Sequence, residues 1–118
     1  MKFQLEHVAI YCKDIAEAIR YYEKFFGGQA TPVRKGSAGY GFCFVRIAGS
    51  PSIQLMESPD QTGVHHYGYV AEDVAAVAQE FAAKGAQIVR QNHDADGKLT
   101  TLFVKDPNGL EIEFRSPR

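Results

Sequence analysis

The feature that most constrains this chain is that it repeats itself. Laid over its own sequence with a shift of 59 positions, His7 falls on His66, Asp14 on Asp73, Ile15 on Val74 and Ala16 on Ala75. Further along, Phe44-Val45-Arg46 falls on Phe103-Val104-Lys105, and Ile53-Gln54-Leu55 on Ile112-Glu113-Phe114, with no gap. Identities are few, yet the matches sit at both ends of each half and the polar ones fall on two strands of each. A duplicated module is expected: a single domain over residues 1–118, built of two closely packed halves, 1–58 and 64–118.

Each half reads as β-α-β-β-β. Residues 3–12 alternate as a strand, with His7, Ala9 and Tyr11 on one face and Val8, Ile10 and Cys12 on the other. Asp14 is placed as a helix N-cap, with Glu17 three residues on. The helix is expected over 15 to 25 or 26, closing at Gly27-Gly28, with Ile15, Ala18, Ile19, Tyr22 and Phe26 as its apolar stripe. A weak strand around 29–34 leads to a glycine-rich loop over 35–41 that has no phosphate-loop pattern and is expected to be mobile. Strands over 42–47 and 52–57 flank the turn Ala48-Gly49-Ser50-Pro51.

The second half repeats the plan. A strand over 64–71 carries His66, and Asp73 caps a helix with the stripe Val74, Val77, Ala78 and Phe81, ending at Gly85. Strands over 87–91 and 99–105 surround the turn Asp94-Ala95-Asp96-Gly97. The last strand follows Asp106-Pro107-Asn108-Gly109, whose residues favour a fixed φ and then φ > 0. On it Leu110, Ile112 and Phe114 face one way; Glu111, Glu113 and Arg115 face the other.

The fold class expected is therefore α+β. One helix covers one face of a four-stranded sheet, so two copies are expected to curl the uncovered faces around a trough. His7, Gln54, His66 and Glu113 alternate out of phase with the apolar residues of their strands, which turns them toward that trough. Two imidazoles, an amide oxygen and a carboxylate suit a divalent transition metal such as Ni, Co, Zn, Mn or Fe, with positions left for water or substrate. His65 is expected on the face opposite His66, Glu57 alternates away from Gln54, and His93 falls in a solvated turn.

Charge narrows the partners. With 13 basic and 14 acidic residues, nothing draws the chain to nucleic acid or to an anionic membrane. No apolar run approaches the roughly 20 residues of a membrane span, and the opening residues lack the apolar stretch of a signal peptide. Cys12 and Cys43 form no framework and suit a reducing compartment as small buried apolar groups. A cytoplasmic protein with a small-molecule substrate is expected.

Leu5-Glu6-His7-Val8-Ala9-Ile10, Ile53-Gln54-Leu55, the His66 strand and Asp106-Pro107-Asn108-Gly109-Leu110-Glu111-Ile112-Glu113 together resemble the vicinal oxygen chelate superfamily of glyoxalases, bleomycin-resistance proteins and dioxygenases. The resemblance covers nearly the whole chain. It implies paired βαβββ units, a homodimer, and metal ligands at His7, Gln54, His66 and Glu113. It further implies a glyoxalase-type lyase or isomerase in which the metal stabilises an enolate or enediolate and Glu113 moves the proton; Tyr11, Met56 and Phe103 are the expected substrate contacts. Tyr11 stands where glutathione-dependent glyoxalases carry an arginine, which argues against glutathione. No acidic residue lies between Glu23 and Glu57, where an epimerase of this superfamily is expected to hold a second base. The alternatives are another enzyme of the superfamily (epimerase, thiol transferase or dioxygenase) and a metal-free protein that sequesters a ligand.

Overall fold

Both helices begin where an aspartate can satisfy backbone N–H groups that a first turn leaves without partners. In the computed structural model, which describes residues 2–117, the Asp14 carboxylate accepts from the Glu17 N–H at 3.1 Å and the Asp73 carboxylate from the Ala76 N–H at 3.0 Å. The elements are β1 (Gln4–Cys12), α1 (Ile15–Phe26), β2 (Gln29–Ala30), β3 (Arg34–Lys35), β4 (Gly41–Arg46), β5 (Ser52–Glu57), β6 (Gly63–Val70), α2 (Val74–Ala83), β7 (Gln87–His93), β8 (Leu99–Lys105) and β9 (Glu111–Arg115). The class is α+β with mixed strand pairing. Among the described residues no helix is long and apolar enough to cross a membrane.

The chain divides into two compact units, one of residues 7–65 and one of residues 66–117 with 2–6. In the first, strands run in the order β2-β4-β5-β1, with β1 parallel to β5 and β4 antiparallel to it. In the second the order is β7-β8-β9-β6, again one parallel pair followed by antiparallel ones. The weak strand expected around 29–34 is split into β2 and β3, both against β4. Pro32 lies between them and has no N–H to give the ladder.

Each unit has its own apolar core, and the two cores are the same core twice. Ile15, Cys43, Val45 and Leu55 are buried in the first unit; Val74, Leu102, Val104 and Phe114, each 59 positions on, are buried in the second. The partly buried neighbours correspond too, Tyr22 with Phe81 and Ile53 with Ile112. Phe3, itself exposed, packs at the margin of the second core, its ring 5.3 Å from Phe114 and 5.9 Å from Tyr69. Phe26 departs from expectation: it is 53% exposed. The chain turns at Gly27, in the left-handed region at φ 63°, and Gly28 takes the place against β4, where an added Cβ would lie 2.5 Å from Val45 Cγ1.

The turns set register. The Asp106 carboxylate accepts from the N–H groups of Asn108 and Leu110 at 2.8 and 2.9 Å, while the Asp106 N–H donates to the Leu110 carbonyl. Asp94 does the same for Asp96 and Lys98, and Gly97 and Gly109 both have φ 83°. Residues 36–40 of the glycine-rich loop form a hairpin turn between β3 and β4, the Gly36 N–H donating to the Tyr40 carbonyl at 2.9 Å. His93, expected in a turn, is the exposed last residue of β7, because that strand pairs as far as Leu99.

Phe114→Ala should cost about 3–5 kcal/mol and Leu55→Ala about 2–5 kcal/mol by urea unfolding, since each empties the equivalent point of one core. Alkaline stability has a definite sign. Burial pushes up the thiols of Cys43 and Cys12, the latter also through Glu57, and burial likewise raises the hydroxyls of Tyr22 and Tyr67. Groups raised in the folded state favour folding below their unfolded values and lose that contribution as pH rises through the folded ones. The urea midpoint should therefore fall above about pH 9, and fall less steeply in Cys43→Ala.

Candidate functional site

Across each unit, one row of side chains runs perpendicular to the strands, because residues opposite one another on neighbouring strands share a face. In the first unit the row is Phe44–Gln54–Ala9, with Gln54 registered against Phe44 on β4 and Ala9 on β1. In the second it is Phe103–Glu113–Gly68. Every member falls 59 positions after its counterpart. The small residue opposite the amide or carboxylate leaves room for the longer side chain beside it.

The imidazoles complete the match. His7 lies two residues before Ala9 and is 3% exposed; its ring meets Phe44 edge-on, centroids 5.9 Å apart and planes at 86°. His66 lies two residues before Gly68 and is 6% exposed; its ring meets Phe103 at 5.9 Å and 80°. An aromatic wall thus holds each histidine in one orientation, as edge-to-face rings prefer.

In the second unit the expected ligands meet directly: His66 Nε2 lies 3.3 Å from Glu113 Oε1, with both side chains largely buried. Two donors bound to one divalent ion at about 2.1 Å, at tetrahedral to octahedral angles, stand roughly 3.0–3.4 Å apart. The pair therefore fits shared coordination as well as a direct ion pair. In the first unit His7 and Gln54 lie on the adjacent parallel strands β1 and β5.

The other expected residues divide. Tyr11 and Met56 are registered side by side on β1 and β5, and the Tyr11 ring also meets His65 edge-on at 5.3 Å. Phe103 is buried, its ring held between His66 and the guanidinium of Arg90, whose Cζ lies 4.2 Å from the ring centroid. Glu57 turns away from the Gln54 row, and its Oε2 accepts the Ile15 N–H at 3.4 Å at the start of α1. Arg90 is absent from the sequence expectations, although the internal repeat could have flagged it, since it falls on Thr31.

Comparison with known proteins shows the family and the fold. The sequence model of the Glyoxalase/Bleomycin resistance protein/Dioxygenase superfamily matches residues 4–114. An ethylmalonyl-CoA/methylmalonyl-CoA epimerase of Cereibacter sphaeroides is 27% identical over 94% of this chain and 96% of its own length. A lactoylglutathione lyase of Haemophilus influenzae is 25% identical over 94% of this chain and 90% of its own. Among solved structures, a methylmalonyl-CoA epimerase from Mycobacterium tuberculosis superposes with a TM-score of 0.78 at 21% identity, over 97% of this chain and 87% of that one. That likeness establishes a shared fold.

The His66–Glu113 contact is measurable without metal. With a chelator present, a double-mutant cycle of His66→Ala and Glu113→Ala should give a coupling of about 0.5–3 kcal/mol in urea unfolding. A coupling near zero would mean that the two side chains do not interact.

Proposed function

This chain belongs to the Glyoxalase/Bleomycin resistance protein/Dioxygenase superfamily, and from that premise we propose that it is a metal-dependent lyase or isomerase of glyoxalase type, moving a proton beside a carbonyl in a small oxygenated substrate. The observation that carries the reading is the doubled row: His7 with Gln54 and His66 with Glu113 occupy equivalent positions on equivalent parallel strand pairs. A ligand-sequestering protein has no need of four such donors in two matching pairs. In this reading His7, Gln54, His66 and Glu113 hold one divalent ion in a trough, and two chains form a homodimer.

When bound, the ion supplies Lewis-acid stabilisation of negative charge developing on the substrate oxygen. Gln54 is neutral, so Glu113 is the sole anion of the set, and the loaded site stays net positive and receptive to an oxyanion. The chain's own residues do the rest. A Glu113 carboxylate oxygen takes the proton from the hydroxyl-bearing carbon beside the carbonyl, and the C–H electron pair moves through the new C=C bond onto the carbonyl oxygen as an enolate; the hydroxyl proton then passes to that oxygen, and Glu113 returns its proton to the former carbonyl carbon as the hydroxyl-bearing carbon becomes the new carbonyl. His66, 3.3 Å away, orients the carboxylate. Phe44 and Phe103 hold the imidazoles and keep water off them.

Epimerisation, the activity named for one relative, belongs to the same proton-transfer class and is the second reading. The absence of any acidic residue between Glu23 and Glu57 favours a single carboxylate working alone over a pair working from opposite sides.

Protein purified without an affinity tag should carry about one transition-metal ion per site, lost in His7→Ala and Glu113→Gln, and metal-stripped protein should melt higher when Ni or Mn is added. In D2O, turnover of methylglyoxal hemithioacetals or a methylmalonyl thioester should place deuterium beside the carbonyl, and Glu113→Gln should slow this by about 10²–10⁴-fold. A chain that emerges metal-free and unshifted by added Ni or Mn is a binding protein instead.

A further inference from the structure

On the helix side of the sheet the two units match less closely than on the donor side. In the second unit the Phe3 ring lies on a shelf of rings, 5.9 Å from Tyr69, 6.3 Å from Phe81 and 5.3 Å from Phe114. The cavity that remains beside α2 is lined by Phe3 and Val77 but by neither Tyr69 nor Phe81, on which Phe3 rests. In the first unit Ile10 stands for Tyr69 and Tyr22 for Phe81, and both line an open cavity of about 830 Å³ between β1 and α1. Around it, Ala18 stands for Val77, and Thr62, exposed ahead of β6, stands 59 positions after Phe3. Ile10, Ala18 and Thr62 are each the smaller of their pair, so the shelf that Phe3 closes in one unit stays open in the other.

The rim differs in charge as well. Lys13 and Arg20 line the first cavity at positions where the second unit has Glu72 and Gln79. On the same rim the Asp14 carboxylate is held by the Glu17 N–H, and the Lys24 ammonium lies 5.3 Å over the Phe25 ring. Among the described residues no carboxylate lies within ion-pair distance of Lys13 or Arg20, so two uncommitted cations stand against the Glu17 carboxylate. An apolar shelf that takes a phenyl ring in the other half of the chain, set beside those cations, fits a ring that carries an anion. Ile10 alternates with Ala9 along β1, which puts this cavity on the face of the strand opposite the donor row. We propose that the cavity between β1 and α1 is a second ligand site, for a small aromatic carboxylate whose ring takes the place that Phe3 has in the second unit and whose carboxylate meets Lys13 and Arg20.

The probe is 3-phenylpropanoate, titrated with a chelator present and followed by calorimetry and by the NMR shifts of the Ile10 and Ala18 methyl groups. It should bind with a Kd of about 0.1–1 mM. Its uncharged amide, and hexanoate, which keeps the charge without the ring, should each bind about tenfold more weakly. Arg20→Gln should weaken the carboxylate about tenfold and leave the amide within about twofold. Thr62→Phe, at an exposed position, supplies the ring from the chain itself; it should abolish binding of 3-phenylpropanoate and raise the melting temperature. Absence of binding to the native chain, shifts confined to other methyl groups, equal affinity for acid and amide, or binding that survives Thr62→Phe each overturns the inference. If the native chain binds no 3-phenylpropanoate while Thr62→Phe changes the oligomeric state seen by scattering, the groove is a contact between copies of this chain and the ligand site falls. None of these readouts depends on metal or turnover, so failure of the enzyme reading leaves this one standing, and the reverse.

Discussion

The parallel pairing of β1 with β5, and of β6 with β9, is the constraint on which everything else rests. It registers Gln54 against Ala9 and Glu113 against Gly68, one strand over from, and two residues past, a buried histidine. A slip of one residue would turn Gln54 and Glu113 into the apolar cores and bring Leu55 and Phe114 out of them. Core packing and ligand placement are thus one decision. Leu55 and Phe114 bury while their neighbours in the alternation, Gln54 and Glu113, do the opposite, and the hydrophobic gain that holds the register also aims the polar groups.

The Asp106 turn shows how local chemistry feeds that register. Its carboxylate gathers two N–H groups and its backbone closes on Leu110, so β9 starts at a defined residue. From there, alternation alone puts Glu113 beside Phe103 and Gly68. The first half reaches the same geometry with different residues around Gly49, where φ is 72° and the Ser50 N–H donates to Ile47. Duplication has preserved where the side chains go more closely than how the chain turns. It has also allowed the halves to diverge at the ends of the rows, where Thr31 serves the backbone and Arg90 lies over a ring.

Much of this is legible in the sequence. The shift of 59 predicted the two βαβββ plans, the aspartate caps and the equivalence of His7 with His66 and of Gln54 with Glu113, because strand alternation and capping depend on neighbours in sequence. The misses have physical causes that lie elsewhere in the chain. Phe26 has helical spacing with the buried stripe, yet Gly28 occupies the place on Val45. Residues 29–34 read as one strand, yet Pro32 breaks its ladder.

By itself, the sequence determined which residues alternate, where helices start, and that one pattern occurs twice; these follow from periods of two and 3.6 and from short-range hydrogen bonds. Only the tertiary structure decided which strands lie side by side. That choice set the 3.3 Å between His66 and Glu113, the aromatic walls behind both histidines, and the Arg90 guanidinium over Phe103. Such contacts join residues far apart along the chain, and strand pairing is fixed by burying whole faces at once, a cooperative outcome that no local window contains.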